Sequence, residues 1–141
     1  MASVFSRIIA GELPGRFVWK DETCVAILSN RPLRPGHTLV IPRLEMDHWL
    51  DVEARLLNHL LETAQSIGRA QMTAFEPTRI GLMVAGLEVP HVHLHVVPIR
   101  GPQDLDFGNQ DPHPDAEMMD RAFASLRREL LLLGFAEAAA G

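Results

Sequence analysis

Between Pro90 and Pro98 the chain reads His91-Val92-His93-Leu94-His95-Val96-Val97, three imidazoles alternating strictly with apolar side chains. Successive side chains of a β-strand point to opposite faces, so the segment reads as a strand. Val92, Leu94 and Val96 face a core. His91, His93 and His95 share the other face, about 7 Å apart along the strand. The chain must therefore build a sheet with one face under apolar cover and the other shaped into a polar site.

The remaining patterning supplies that sheet and its cover. Arg16 to Lys20 and Thr23 to Leu28 read as strands joined by a turn at Asp21-Glu22. Ser29 to Gly36, with two prolines, two arginines and a glycine, is a loop. His37 to Ile41 is a third strand closed by Pro42, Arg79 to Ala85 a fourth, and His91 to Val97 a fifth, ended by Pro98. Ser3 caps a short helix that ends near Ala10, with Gly11 terminating it. Asp51 caps a long helix to about Met72, whose apolar side is Leu56, Leu57, Leu60, Leu61, Ala64 and Ile67. A last helix starts at Pro114, with Asp115 and Glu117 favouring its positive end. Its stripe is Met119, Ala122, Phe123, Leu126, Leu130 and Leu133, and Gly134 ends it. Gly101 to His113 is polar and reads as mobile or draped, and Ala136 to Gly141 as a frayed tail. Short connections between neighbouring strands favour antiparallel pairing, so the class is α+β.

Composition narrows the function. The 141 residues suit one domain. Thirteen basic against eighteen acidic residues give a net charge of −5, which makes a nucleic-acid partner a poor fit. No apolar run is long enough for a membrane span. The opening residues lack the basic-then-apolar pattern of a secretion signal. Cys24 is the only cysteine, which excludes an intramolecular disulfide and suits a reducing compartment, so a cytoplasmic protein is expected.

Three readings of the histidine face stand open on these grounds. Neutral imidazole is a capable nucleophile near pH 7. His-x-His also suits zinc, copper or iron, given further ligands. The third reading is an ordinary polar strand face, which three histidines in strict alternation disfavour.

The segment matches His-φ-His-φ-His-φ-φ, φ being apolar, with every apolar position filled. Two further blocks precede it in order: Val4-Phe5-Ser6-Arg7-Ile8-Ile9-Ala10-Gly11-Glu12-Leu13-Pro14, then Cys24-Val25-Ala26-Ile27-Leu28 with Pro35-Gly36-His37-Thr38-Leu39-Val40-Ile41-Pro42. In these blocks the chain resembles the histidine triad (HIT) family over residues 3–100.

The resemblance implies a HIT-like fold: a five-stranded antiparallel sheet with one long helix, a short N-terminal helix and a C-terminal helix. It places a HIT domain at 1–107 and a C-terminal extension at 108–141, with helix 114–133 packed on the same domain. It implies hydrolysis at the α-phosphate of a nucleoside phosphoramidate or similar purine nucleotide conjugate, without a cofactor. The alternatives are a dinucleoside polyphosphate hydrolase, or a nucleotide-binding or regulatory module with little catalysis. His93 matches the nucleophile that forms a nucleotidyl-histidine. His95 falls beside the phosphate and leaving group, which it would protonate. His91 supports the nucleophile's orientation, and His37 packs behind the triad. Histidine rather than glutamine at the third triad position resembles the hydrolase branches.

Phe5, Ile8, Ile27 and Leu39 match positions that line base and ribose in relatives. Ser29 stands where many relatives carry Asp or Asn for the ribose hydroxyls, with Asn30 as a neighbouring polar group. In the loop Gly86-Leu87-Glu88-Val89-Pro90, Gly86, Glu88 and Val89 fall beside the phosphate, where backbone N–H groups of Glu88 and Val89 can donate. Glu88 replaces the Ser or Thr of some relatives. Its carboxylate repels a phosphate and suits an amine leaving group. Some bacterial relatives bind zinc through an N-terminal Cys-x-x-Cys. Ser3 and Ser6 stand there, so no structural zinc is expected. Relatives are homodimers, and a dimer is expected here on that ground.

Overall fold

The computed structural model describes residues 1–139. Strands β1 (Phe17–Lys20), β2 (Cys24–Leu28), β3 (Thr38–Pro42), β4 (Arg79–Met83) and β5 (Leu94–Ile99) form one antiparallel sheet in the order β1-β2-β3-β5-β4. Helix α1 (Val4–Ile9) is short, α2 (Ala54–Phe75) is long, and α3 (Ala116–Leu132) is followed by a 3-10 turn, Ala136–Ala138. This is the α+β architecture expected from the strand and helix patterning.

Alternation sorts the sheet into two faces. Cys24, Ala26 and Leu28 of β2, Val40 of β3 and Leu94 and Val96 of β5 join Val92 in the main core. Leu60, Ala64 and Ile67 of α2 cover them, with Met119, Ala122, Leu126 and Leu130 of α3. On the opposite face Val25, Ile27, Leu39 and Ile41 meet Phe5 and Ile8 of α1 in a smaller cluster. One six-residue helix cannot cover five strands, so part of this second face stays open beside α1. The histidines lie there.

The histidine strand is shorter than its pattern. β5 begins at Leu94, not His91, because β3 offers its last partner at Val40, opposite Leu94, and β4 its last at Met83, opposite His95. His91 sits in a bend before the ladder, its N–H bonded to the Val89 carbonyl at 2.8 Å, and the Val92 N–H ties the segment to the Met46 carbonyl at 2.7 Å. Pro98 does not end the strand. The Ile99 carbonyl accepts from Thr78, so Ile99 faces β4 and Pro98 faces the other way, past the last β3 partner at Val96. No ladder bond is lost there. Pro42 likewise lies inside β3 as its last residue.

The helices depart at their ends. Asp51 belongs to a 3-10 turn, Trp49–Asp51, capped by His48, and α2 starts at Ala54 after an uncapped Glu53. Leu61 is 47% exposed rather than buried. Asp115 caps α3 by accepting from the Met118 N–H, so Pro114 precedes the cap. Leu133 lies past the helix and is exposed. The tail packs instead of fraying: Ala138 is fully buried, and Arg127 donates to its carbonyl at 2.9 Å. Ala140 and Gly141 lie outside the described residues. The segment after β5 is draped through two 3-10 turns, Pro102–Leu105 and Phe107–Asn109. Asp104 fixes its start by accepting from Arg100 N–H, and Asp111 N–H fixes its end on the Pro32 carbonyl.

Candidate active site

The triad's geometry follows from groups whose hydrogen-bonding role is fixed. A backbone N–H only donates, and a carbonyl only accepts. The Leu33 N–H donates to His37 Nδ1 at 3.0 Å. A neutral His37 therefore carries its proton on Nε2, which donates to His95 Nδ1 at 2.9 Å. His95 in turn carries its proton on Nε2, the nitrogen left free for a ligand. His93 Nδ1 lies 2.8 Å from the His91 carbonyl, so Nδ1 is the protonated nitrogen and the Nε2 lone pair is free. The His91 ring turns away from this pair. Its Nε2–H donates to the Pro42 carbonyl at 2.8 Å, and its Nδ1 accepts the Ser3 hydroxyl at 2.6 Å. His91 thus orients His93 through its backbone.

All four imidazoles are buried. Burial is the main force lowering the His37 pKa to about 3, helped by the charges of His95 and His93. Burial likewise takes His95 to about 4, with His93 adding to the shift. His93 is lowered by burial too, while its bond to the His91 carbonyl and the Glu88 charge push back. These three are neutral at pH 7. An imidazolium at His95 would set a second Nδ1 proton against the Nε2–H of His37. In this network the outward Nε2–H of His95 is a hydrogen-bond donor.

A cavity of about 210 Å³ opens onto this pair. Phe5, Ile8, Ile27 and Leu39 are apolar residues of its lining, Ser29, Asn30 and Glu88 polar ones, and Val89 lines it together with His93 and His95; the Glu88 charge acts on His93. These are the residues expected for the pocket, with one exception. Gly86 lines a separate recess of about 40 Å³, with Asp47, His48, Trp49 and His93. His37 and His91 are not among the residues lining this cavity and reach it through His95 and His93. Ser29 is buried and accepts from the Arg31 N–H. The Phe5 ring stands edge-on to His93 at 4.9 Å.

A profile for the "HIT domain" matches residues 10–101, about two-thirds of the chain and the whole of the site described except α1 and the draped segment. The chain belongs to the HIT family. A HIT-like protein of Mycobacterium tuberculosis is 36% identical over 110 residues, 74% of this chain and 76% of its own length. A bifunctional bis(5'-adenosyl)-triphosphatase/adenylylsulfatase of Arabidopsis thaliana is 34% identical over 110 residues, 74% of this chain and 58% of its own. The crystal structure of a zinc-bound HIT family protein from Mycobacterium smegmatis superposes with a TM-score of 0.81 at 30% identity, covering 97% of this chain and 99% of that one.

The N-terminal positions do not fit the Cys-x-x-Cys zinc of bacterial HIT relatives. Ser3 N–H and the Ser6 hydroxyl both donate to Glu45 Oε1, at 2.7 and 2.6 Å. Ser3 spends its own proton on His91, and its oxygen accepts the Ser6 N–H. Two hydroxyls that do not ionise near pH 7, each already paired, are a poor donor set for zinc. Those bonds, from the Ser6 hydroxyl first, hold the Glu45 carboxyl down at about 2. Elsewhere Asp21, Cys24 and His59 bring three donor atoms within 4.8 Å. Burial alone raises the Asp21 carboxyl, but donors from Trp19, Cys24, Thr23 and His59 outweigh it and bring it to about 2. That carboxylate is saturated by the β1–β2 turn and α2. Burial pushes the Cys24 thiol up to about 12.

Val4 and Leu28, neighbours of expected residues, also line the cavity, and two residues farther along the chain escaped the sequence reading. The Phe107 ring packs edge-on against His95 at 5.1 Å, and Gln110 lines the cavity. Both come from the draped segment, beyond the family match, where no periodicity marks a residue as facing inward.

Proposed function

We propose that this HIT-family protein hydrolyses purine nucleotide conjugates at the α-phosphate, with His93 as nucleophile and nucleoside phosphoramidates as the substrate class. The observation that carries this is the free Nε2 of His93, held in its nucleophilic tautomer by the His91 carbonyl, next to an outward Nε2–H on His95. The base lies against Phe5, Ile8, Ile27 and Leu39, and the ribose near Ser29 and Asn30. The His93 Nε2 lone pair forms the N–P bond while the leaving group departs with the P–X pair. His93 keeps its Nδ1 proton, so the intermediate's positive ring stays bonded to the His91 carbonyl. His95 donates to a phosphoryl oxygen and steadies the charge there. A departing amine takes its proton from water. A second water then attacks phosphorus, the N–P pair returns to His93, and the proton borrowed in the first step is released with the nucleoside monophosphate.

Further parts of this reading are a homodimer, a cytoplasmic setting that suits the single buried thiol Cys24, and the division at 107/108 into HIT domain and C-terminal extension. The dimer is supported by β4, an edge strand with Leu82 exposed.

The test is AMP release from adenosine 5′-phosphoramidate in the presence of a chelator. Wild type turns over, and His93→Ala loses at least ~10³-fold while retaining its fold, in line with removal of a covalent nucleophile. Equal activity in the variant would refute the assignment.

A further inference from the structure

The cavity beside the triad is electrically lopsided. Among the described residues that line it, Glu88 is the one carboxylate and Arg31 the one guanidinium. They arrive on different loops. Arg31 follows Ser29 and Asn30 at the end assigned to the ribose, whereas Glu88 lies five residues before His93, on the loop that feeds the triad. Glu88 is exposed and has no ion-pair partner among the described residues, unlike Glu12, Asp21, Glu117 and Asp120. Its charge reaches the nucleophile, where it opposes the lowering of the His93 pKa. An uncompensated carboxylate next to the reacting phosphorus disfavours every anionic substrate. The α-phosphate is common to all of them, so its repulsion does not discriminate. The charge of the leaving group does.

We infer that Glu88 selects the leaving group by charge, so that the preferred substrates are nucleotides conjugated through the α-phosphate to a group bearing an ammonium, and conjugates with anionic leaving groups are rejected. The inference rests on the hydrolase reading above and names the substrate class for that same site. An ammonium a few ångströms from phosphorus meets the Glu88 carboxylate in a cavity partly screened by solvent, where such a pair gains modestly. A sulfate or polyphosphate leaving group in the same place meets the same charge with the opposite sign. Arg31 does not cancel this field, because it lies toward the nucleoside end.

Three adenosine 5′-phosphoramidates form a matched series: those of 1,3-diaminopropane, propylamine and β-alanine. They share the P–N bond and differ in terminal charge, positive, neutral and negative. Each is assayed by AMP release with wild type and Glu88→Gln. The three amines differ in intrinsic leaving ability, so the reading is the ratio of kcat/KM between substrates compared across the two proteins. Wild type is expected to favour the cationic over the anionic conjugate, and Glu88→Gln to shrink that preference by ~10-fold or more, with the effect fading at high salt. An unchanged preference, with both proteins active, overturns the charge selection and leaves the hydrolase standing. Absence of turnover of the neutral conjugate by wild type overturns the hydrolase reading and the inference with it.

Discussion

At the residue scale, the site depends on His37, His93 and His95 being uncharged in the fold. The unfolded chain takes up protons on histidine near pH 6.5. The folded chain resists until His95 reaches about 4 and His37 about 3. The unfolded state therefore binds more protons throughout that window, and stability falls as pH drops through it. The contribution is complete above pH 6.5 and is lost progressively toward pH 3. Each such histidine steepens the loss by up to ~1.4 kcal/mol per pH unit. Asp21, lowered to about 2, adds its own loss only below its unfolded value near 3.9. Thermal unfolding should thus show a plateau between pH 7 and 8 and a decline between 6 and 4, shallower in His37→Asn. An unchanged slope in that variant would mean His37 is not titrating with unfolding. The alternation of His91, His93 and His95 was plain in the sequence. Their tautomers were not, because they are set by the Leu33 N–H and the Pro42 and His91 carbonyls, which carry no side-chain signal.

At the element scale, α1 is too short to be stable alone and is held by what Ser3 does at its end. Ser3 caps the helix through Ser6 N–H, donates to His91 and is tied by its own N–H to Glu45. Ser3→Ala removes a cap worth ~1 kcal/mol and leaves buried His91 Nδ1 unpaired at a cost of ~1–3 kcal/mol. Urea unfolding should register a loss of about 2–4 kcal/mol. KM should rise more than kcat falls, since α1 supplies Phe5 and Ile8 to the nucleoside wall. A loss confined to kcat would separate α1 from substrate binding. The draped segment works the same way on the triad's other side. Phe107→Ala strips cover from His95, so the His95 titration followed by NMR should move up from about 4 toward its ordinary value. An unmoved titration would show that Phe107 does not shield it. The strands and helices were legible from period and punctuation. Their ends were not: β5 stops where its neighbours stop, and Asp51 is drawn into a 3-10 turn.

At the scale of the whole molecule, one face of the fold is unfinished. β4 is an edge strand, and its outward N–H and C=O groups have no ladder partner among the described residues. Leu82 of β4 is 47% exposed, as is Leu61 of α2, and Met72 of α2 is exposed beside them. All three line a cavity of about 670 Å³ between α2 and the β4 edge, with Glu62 and Arg69 among its other residues. Exposed apolar edges are aggregation hazards that folds cover or pair. A second copy related by a two-fold axis does both, because antiparallel pairing of β4 with itself extends the sheet, and a self-complementary patch can bring an acid to a base. Leu61, which the α2 periodicity puts on the apolar side but the fold leaves 47% exposed, would be covered by such a contact. Sedimentation of the wild type should give twice the chain mass. Leu82→Glu places like charges opposite each other near the axis and should yield a folded monomer with unchanged far-UV circular dichroism. Its AMP-releasing activity should survive in part, since Phe5, Ser29, Glu88, His93 and His95 of a single chain already line the triad cavity together. A dimer that persists through Leu82→Glu would place the contact elsewhere, and the exposed β4 edge would then need a different cover.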